Sequence, residues 1–307
     1  MKVKVSNITF SKTQELVNTL LQNFPDAELN YEGKRYTEDE LVSYFGNAEG
    51  VIVGLELITA SLLDKLPKLK IIAKYGVGLD NVDIDACNKR GIAIGWAGGV
   101  NKRSVAEMTL GFMISLSRNI VLTSSQLKAN KWNKNGGTQL SGKTIGIIGL
   151  GNIGKDLIGL LKPFDCRILT NDISDISDFA SDNGLIVTDK KTIFKEADII
   201  TVHTPLNSDT ENLINEASFK LMKPSTYVIN TARGGIINED DLYAALTQEK
   251  IAGAALDVYV VEPPYASKLL TLNNIITTPH IGGNSKEAVI AMGLSAVNHL
   301  MEYKSKK

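Results

Sequence analysis

The chain has 307 residues, enough for one or two domains and a sizeable core. Its 33 basic and 34 acidic residues leave a net charge of −1, a balance that argues against nucleic acid or an anionic membrane surface as partner. No leader-like segment opens it, no uncharged apolar run approaches the roughly 18 residues of a membrane span, and its two cysteines, Cys87 and Cys166, are too few for a disulfide framework or a zinc cluster, so a soluble protein of the reducing cytoplasm is the expectation.

Strand-like and helix-like segments alternate from the start. Lys2 to Val5 reads as a strand, and Thr13 to Phe24 carries Leu16, Val17, Leu20 and Leu21 at helical spacing. Further apolar runs at Gly50 to Gly54, Leu69 to Lys74 and Ile92 to Gly95 are separated by helical candidates at Glu38 to Tyr44, Ala60 to Lys65 and Ile84 to Lys89. Such alternation is the signature of a parallel α/β sheet, so the first hundred or so residues form a domain of their own. Gly98-Gly99 interrupts the pattern, and Ser104-Val-Ala-Glu107 fits a capping box that opens a long apolar helix through Leu116. Gln126 to Gln139 is polar and contains Trp132; it reads either as an arm that contacts a second subunit or as an ordinary surface excursion.

Lys143 to Gly154 organises the second half. An apolar run, Thr144 to Ile148, ends in glycines at Gly149, Gly151 and Gly154, and a helix-like segment follows. The first glycine permits a tight turn, the second lets a pyrophosphate approach the backbone, and the third lets the helix pack close to the strand with its free amides facing the anion. Arg167 to Asn171 reads as the next strand, and Asp172 at its end can accept hydrogen bonds from ribose hydroxyls while repelling a 2′-phosphate. The site is therefore expected to prefer NAD over NADP; the alternative is a glycine-rich turn in another α/β protein with a surface aspartate. Ser174 to Asn183 reads as a loose helix or loop. Strands are expected at Ile199 to His203, Tyr227 to Asn230, Ile251 to Leu256 and Ile275 to Thr278, and a last helix at Ser285 to Tyr303. Paired glycines at 98–99 and 282–283 suggest that the chain crosses between domains twice and leaves a cleft that closes about two hinges.

Four stretches fall where a doubly wound sheet places ligands, at the carboxyl ends of strands: Val202-His-Thr-Pro-Leu206, Ile229-Asn-Thr-Ala-Arg-Gly-Gly235, Ala255-Leu-Asp-Val258 with Glu262-Pro-Pro264, and Thr278-Pro-His-Ile-Gly282. The guanidinium of Arg233 suits a carboxylate; the alternative is a surface salt bridge. His280 stands at a strand tip, and histidine exchanges protons near neutral pH, so it is the candidate base, with a structural histidine as the alternative. Glu262 is placed by sequence to orient it, or is merely exposed. His203 and His299 read as structural histidines, and the two cysteines as small core hydrophobes.

These stretches, together with KYGVGLDNVD, SVAE, GTQLSGKTIGIIGLGNIG, INTARGG, GAALDV and PHIGG, resemble the D-isomer-specific 2-hydroxyacid dehydrogenases over nearly the whole chain, and most of all the phosphoglycerate dehydrogenases without their C-terminal regulatory domains. The resemblance implies an α/β protein of two doubly wound parallel-sheet domains. A flavodoxin-like substrate domain would comprise residues 1–98 plus 284–307, and a Rossmann NAD domain residues 99–283. It implies a catalytic triad of Arg233, Glu262 and His280, the arginine gripping the substrate carboxylate and C2 oxygen, the histidine taking the hydroxyl proton and the glutamate holding the histidine. NAD would be held by Gly149, Gly151, Asn152, Ile153 and Gly154, with Asp172 at the ribose, Thr204 and Thr231 along the strand ends, and Asp257 at the carboxamide. Backbone amides around Val77 and Gly78 would join Arg233 at the substrate, a small 2-hydroxy or 2-oxo acid; Asn101 and Lys74 are further candidates for that site. A homodimer is implied; charge balance, hydropathy and cysteine count are what argue against nucleic acid, a membrane and a metal.

The leading expectation is oxidation of 3-phospho-D-glycerate to 3-phosphohydroxypyruvate in serine synthesis, with no segment left for regulation by an extra domain. Departures bear on the substrate: Gly95-Trp-Ala-Gly-Gly99 replaces the family's asparagine-threonine-proline, Gly54-Leu-Glu-Leu57 stands where an arginine-serine pair is usual, and Lys74 replaces another arginine. Lys74, Lys102 and Arg103 are the cations expected to line the cleft mouth and take the distal anion, unless they are solvated surface charge. The alternatives are reduction of hydroxypyruvate, glyoxylate or another 2-oxo acid, and, outside enzymes, an NAD(H)-sensing regulator.

Overall fold

The structure, a computed structural model, describes residues 1–306. The chain divides into two compact units, Met1–Asn101 with Asn284–Lys307, and Lys102–Gly283.

The first unit runs β1 (Val3–Val5), α1 (Ile8–Lys12), α2 (Gln14–Asn23), β2 (Glu28–Leu29), α3 (Glu38–Phe45), β3 (Gly50–Val53), α4 (Ala60–Asp64), β4 (Ile71–Lys74), α5 (Ile84–Lys89) and β5 (Ala93–Gly95). Its five strands pair in parallel in the order β2-β1-β3-β4-β5, the flavodoxin arrangement. Every residue of β1, β3 and β4 is buried, because helices cover both faces of a parallel sheet and leave no solvent side for alternation. Short polar side chains start these helices: Asn7, Thr37, Thr59 and Asp83 each accept a hydrogen bond from a first-turn amide, and Thr37 with Glu40 closes a capping box.

The second unit opens with α6 (Lys102–Ser117) and α7 (Ile120–Lys128), then β6 (Thr144–Ile148), α8 (Asn152–Leu161), β7 (Arg167–Asn171), α9 (Ser177–Asp182), β8 (Ile186–Val187), α10 (Lys190–Glu196), β9 (Ile199–Val202), α11 (Glu216–Phe219), β10 (Tyr227–Asn230), α12 (Glu239–Thr247), β11 (Gly253–Leu256) and β12 (Ile275–Thr277). The seven strands are parallel in the order β12-β11-β10-β9-β6-β7-β8, a Rossmann order with one added edge strand. Two apolar clusters sandwich this sheet, one including Ile145, Ile147, Leu157 and Met113, the other Ile193, Ile200, Val228 and Leu242. α13 (Lys286–Ser305), capped by Ser285, belongs to the first unit, where Met292, Ala296, Val297 and Leu300 pack with Val3, Leu16, Leu20 and Ile71.

Several details depart from the sequence reading. α6 begins at Lys102, so Ser104 lies inside the first turn, and its hydroxyl donates to Gly282 O at 2.6 Å. The first passage between units accordingly falls at Asn101–Lys102 rather than at Gly98-Gly99. α7 buries none of its residues; Ile120, Val121 and Leu127 are exposed. Residues 129–139 form no regular element, are exposed throughout, and present Trp132 at 79% of its full exposure. Cys87 is buried but Cys166 is only half-buried, its Sγ 3.4 Å from Leu140 O. No single helix among the described residues is long and apolar enough to cross a membrane.

β9 hands the chain to His203, whose Nε2 lies 3.1 Å from Thr201 Oγ1 and whose Nδ1 is buried without a partner. Burial pushes its pKa down from 6.5 to about 4. The unfolded chain therefore takes up a proton that the folded ring refuses, and stability present above about 6.5 is lost as pH falls toward about 4. Urea unfolding at pH 7 and pH 5 is expected to show wild type losing up to about 2 kcal/mol more than His203→Gln over that interval. Equal losses in the two proteins would contradict an imidazole that stays neutral in the folded state.

Candidate active site

The order of the second sheet reverses between β6 and β9, the point at which a doubly wound sheet places its ligand crevice, flanked by the loops leaving these two strands. After β6, Gly149 adopts φ +94° and passes so close to β9's continuation that a Cβ would stand 2.6 Å from His203 O. A Cβ on Gly154 would stand 2.6 Å from Gly149 O, so α8 packs against the turn only with glycine there. Gly151, the N-cap of α8, has open space where its side chain would be and makes no side-chain cap bond. Asn152 and Ile153 form the first turn of that helix. Thr204 Oγ1, at the facing strand end, is buried without a partner. At the tip of β7, Asp172 accepts from Leu150 N at 2.5 Å and from Ser174 N at 2.8 Å. Burial works to raise its pKa, but the amides of Ser174 and Leu150 outweigh it and hold the carboxyl below its usual value.

The reactive side chains stand on the next three loops of the same edge. Beyond β10, the Asn230 side chain shapes the turn by accepting from Ala232 N at 3.0 Å and donating to Arg233 O at 2.8 Å. The half-buried Arg233 guanidinium donates through Nη1 to Ala232 O at 2.7 Å. Gly234 is pressed against the next loop: a Cβ would lie 2.0 Å from Tyr259 C and O. That loop carries Glu262, whose Oε1 accepts from Tyr259 N at 3.1 Å and whose Oε2 stands 2.8 Å from His280 Nδ1. Glutamate and histidine are both exposed, as a pair that meets a substrate must be. His280 itself has φ +55°, the left-handed region that side chains other than glycine seldom occupy.

Asp257 directly follows β11 and is 1% exposed. Its carboxylate accepts from Thr278 Oγ1 at 2.6 Å, Ile281 N at 2.8 Å and Gly282 N at 2.7 Å. Thr231 is buried, its hydroxyl 3.0 Å from that of Thr109. The second unit thus brings Arg233, Glu262 and His280 to one sheet edge with the glycine turn, Asp172, Thr204, Thr231 and Asp257. Sequence reasoning quoted the INTARGG stretch without assigning Asn230, although an asparagine at a strand end before a turn is an Asx-turn signal. Ser104 was read as a cap, and nothing local announces its bond to Gly282.

The substrate residues expected in the first unit are differently placed. Lys74 is 5% exposed, and its ammonium donates to Gly54 O and, at 2.8 Å, to Asn81 Oδ1. Arg103, in the second unit, pairs with Asp156 at 2.9 Å. The three cations expected to take a distal anion differ in setting: Lys74 is buried and bonded within its own unit, whereas Lys102 and Arg103 are exposed, Arg103 in an ion pair at the surface. The loop after β3 exposes Leu55 and Leu57, and Glu56 turns back to accept from Gly54 N at 2.6 Å. Val77 and Gly78 form a half-buried turn after β4, with Val77 O accepting from Trp96 Nε1 at 2.9 Å. Asn101 is buried, its Oδ1 without a partner.

These residues suit NAD. Open space at a helix N-terminus accepts a pyrophosphate, the orphaned Thr204 hydroxyl lies across the crevice, and an ionised Asp172 fits ribose hydroxyls. No group of histidine, cysteine or carboxylate side chains among the described residues could hold a metal ion.

Residues 110–282 match the family described as "D-isomer specific 2-hydroxyacid dehydrogenase, NAD binding domain". The chain is 39% identical over 262 residues to a D-3-phosphoglycerate dehydrogenase of Methanocaldococcus jannaschii, a match covering 84% of this chain and 50% of that protein. It is 36% identical over 289 residues to a hydroxypyruvate reductase of Thermotoga maritima, covering 92% and 93%. Among solved structures, D-lactate dehydrogenase from Aquifex aeolicus complexed with NAD and lactic acid aligns with TM-score 0.83 at 27% identity, covering 100% of this chain and 96% of that one. The chain spans about half the length of the phosphoglycerate dehydrogenase and nearly all of the reductase. Matched over more than half its length by the family's NAD-binding domain, and over nearly all of it by the reductase, the chain belongs to the D-isomer-specific 2-hydroxyacid dehydrogenases.

Proposed function

We propose that the protein is an NAD-dependent dehydrogenase of small D-2-hydroxy acids, acting also in reverse on 2-oxo acids. The observation that carries this reading is the Glu262–His280 pair, 2.8 Å apart on the same carboxyl edge that holds Arg233 and the glycine turn. Bound NAD supplies the hydride acceptor for oxidation, and its reduced form the donor for the reverse reaction. With a neutral imidazole, Nδ1–H donates to Glu262, which fixes the tautomer and leaves proton exchange with the C2 oxygen to Nε2. Glu262 also stabilises the imidazolium formed once that proton is taken. Arg233 presents a planar donor fork to the substrate carboxylate and the C2 oxygen, where negative charge grows as the proton leaves. Asp172 at the ribose disfavours a 2′-phosphate.

Two substrate readings have support. The phosphoglycerate reading rests on relatives bearing that name. The commitment of Lys74 to Gly54 and Asn81, the pairing of Arg103 with Asp156, and a loop of exposed leucines beside Glu56 favour an unphosphorylated acid such as hydroxypyruvate or glyoxylate. A buried ammonium already bonded twice is a poor phosphate ligand. Self-association belongs to the proposal, supported by exposed Ile120, Val121, Leu127 and Trp132, as does a reducing cytoplasm, supported by two unpaired cysteines.

Replacing His280 with alanine is expected to lower kcat by about 10²- to 10⁴-fold while NADH binding, read by fluorescence, stays within about threefold. Retained turnover would remove the histidine from its role. In a 2-oxo acid panel under NADH, kcat/KM for hydroxypyruvate or glyoxylate is expected to exceed that for phosphohydroxypyruvate by about tenfold or more, roughly 1.4 kcal/mol. The opposite preference would restore the phosphoglycerate reading.

A further inference from the structure

We propose that Asp257 is a positioning residue for His280: its buried carboxylate clasps the loop that carries the histidine and holds it against Glu262. The inference rests on the dehydrogenase reading for its kinetic consequences, but not for its geometry.

The loop from Thr278 to Gly282 is fastened at both ends. At its start, Thr278 N donates to Leu256 O at 3.0 Å, Thr278 O accepts from Tyr259 OH at 3.0 Å, and Thr278 Oγ1 donates to Asp257. At its end, Ile281 N and Gly282 N donate to the two oxygens of Asp257, and Gly282 O accepts from Ser104 Oγ. His280 stands between these anchors with φ +55°. A left-handed residue other than glycine costs on the order of 1 kcal/mol and persists only where its surroundings over-determine it. Here the two amides that follow the left-handed residue converge on one carboxylate, an arrangement in which successive N–H groups form a concavity for an anion.

The chemistry calls for aspartate in particular. Three donors face Asp257, two at Oδ1 and one at Oδ2, so both ends of the group must accept. An asparagine of the same shape would set its own N–H₂ against at least one of these donors. Gly282 is equally constrained, because a Cβ there would lie 2.9 Å from Asp257 Oδ2. These bonds all lie inside the protein's own second unit. They orient the imidazole whether or not the nicotinamide carboxamide also meets this residue, as the family resemblance implies.

The test uses Asp257→Asn and, as a milder variant that removes one donor, Thr278→Val. In the cofactor-free protein at fixed pH, the His280 imidazole ¹⁵N signal, identified by its loss in His280→Gln, is expected to move toward that of a solvent-exposed imidazole in Asp257→Asn. Hydrogen exchange at Ile281 and Gly282 is expected to rise by about tenfold or more. Turnover by Asp257→Asn is expected to fall by about 100-fold in kcat, with KM for the oxo acid and Kd for NADH within about threefold. Thr278→Val is expected to show the same signature with a loss of about tenfold, and decides the matter if Asp257→Asn does not fold. Unchanged imidazole signals and exchange, together with weakened NADH binding, would overturn the proposal and leave Asp257 a cofactor contact alone. Absence of turnover by wild type would refute the dehydrogenase reading instead, while the cofactor-free signals would still decide the clasp.

Discussion

Parallel pairing is the constraint on which everything else depends. Because β6, β9, β10, β11 and β12 all run the same way, their carboxyl ends share one edge, and the loops that leave them are gathered there without any contact being designed between them. The glycine turn follows β6, Thr204 follows β9, Arg233 follows β10, Asp257 and Glu262 follow β11, and His280 follows β12. Residues as far apart in the chain as Gly149 and His280 therefore share one edge because of strand direction. The same constraint forces near-continuous apolar runs in the strands, since helices cover both faces, and this is why Ile145, Ile147, Ile200 and Val228 are fully buried.

Backbone approach then sets the detail. Loops on a single edge must pass each other at distances that side chains forbid, and the positions of closest approach are glycines: Gly149 against His203, Gly154 against Gly149, Gly234 against the Tyr259 carbonyl and Gly282 against Asp257. Each of these is a close approach that a side chain at the glycine would break. Hydrogen bonds to strand-end side chains complete the framework, with Asn230 shaping the arginine turn and Glu262 reaching both Tyr259 N and His280. A base held in this way spends little freedom on reaching its working geometry.

Much of this was legible in the sequence because the signals are local. Strand runs, the glycine spacing, Asp172 at a strand end and the arginine-glycine-glycine and proline-histidine tips each carry their meaning within a few residues. What escaped lacked a local signal or carried a misleading one. Ser104-Val-Ala-Glu107 has the spacing of a capping box, yet the helix starts two residues earlier and the serine bonds Gly282, 178 positions away. The capping boxes that do form, Thr37 with Glu40 and Asn215 with Ser218, were passed over. α7 was missed because its apolar residues face outward and so show no buried stripe, and β2 and β8 because strands of two residues are too short to show periodicity. The surroundings of the three cations were equally hidden: the burial of Lys74 and the pairing of Arg103 with Asp156 are facts of packing that no local stretch announces.

The central claim is that this strand edge moves hydride between a D-2-hydroxy acid and NAD. Its most direct test is to incubate the protein with NAD and glycerate deuterated at C2, in each enantiomer separately, and to look for deuterium on the nicotinamide C4 by NMR. The account predicts transfer from the D-enantiomer and none from the L-enantiomer. Binding of NADH with no transfer from D-glycerate, D-lactate or 3-phospho-D-glycerate would contradict it.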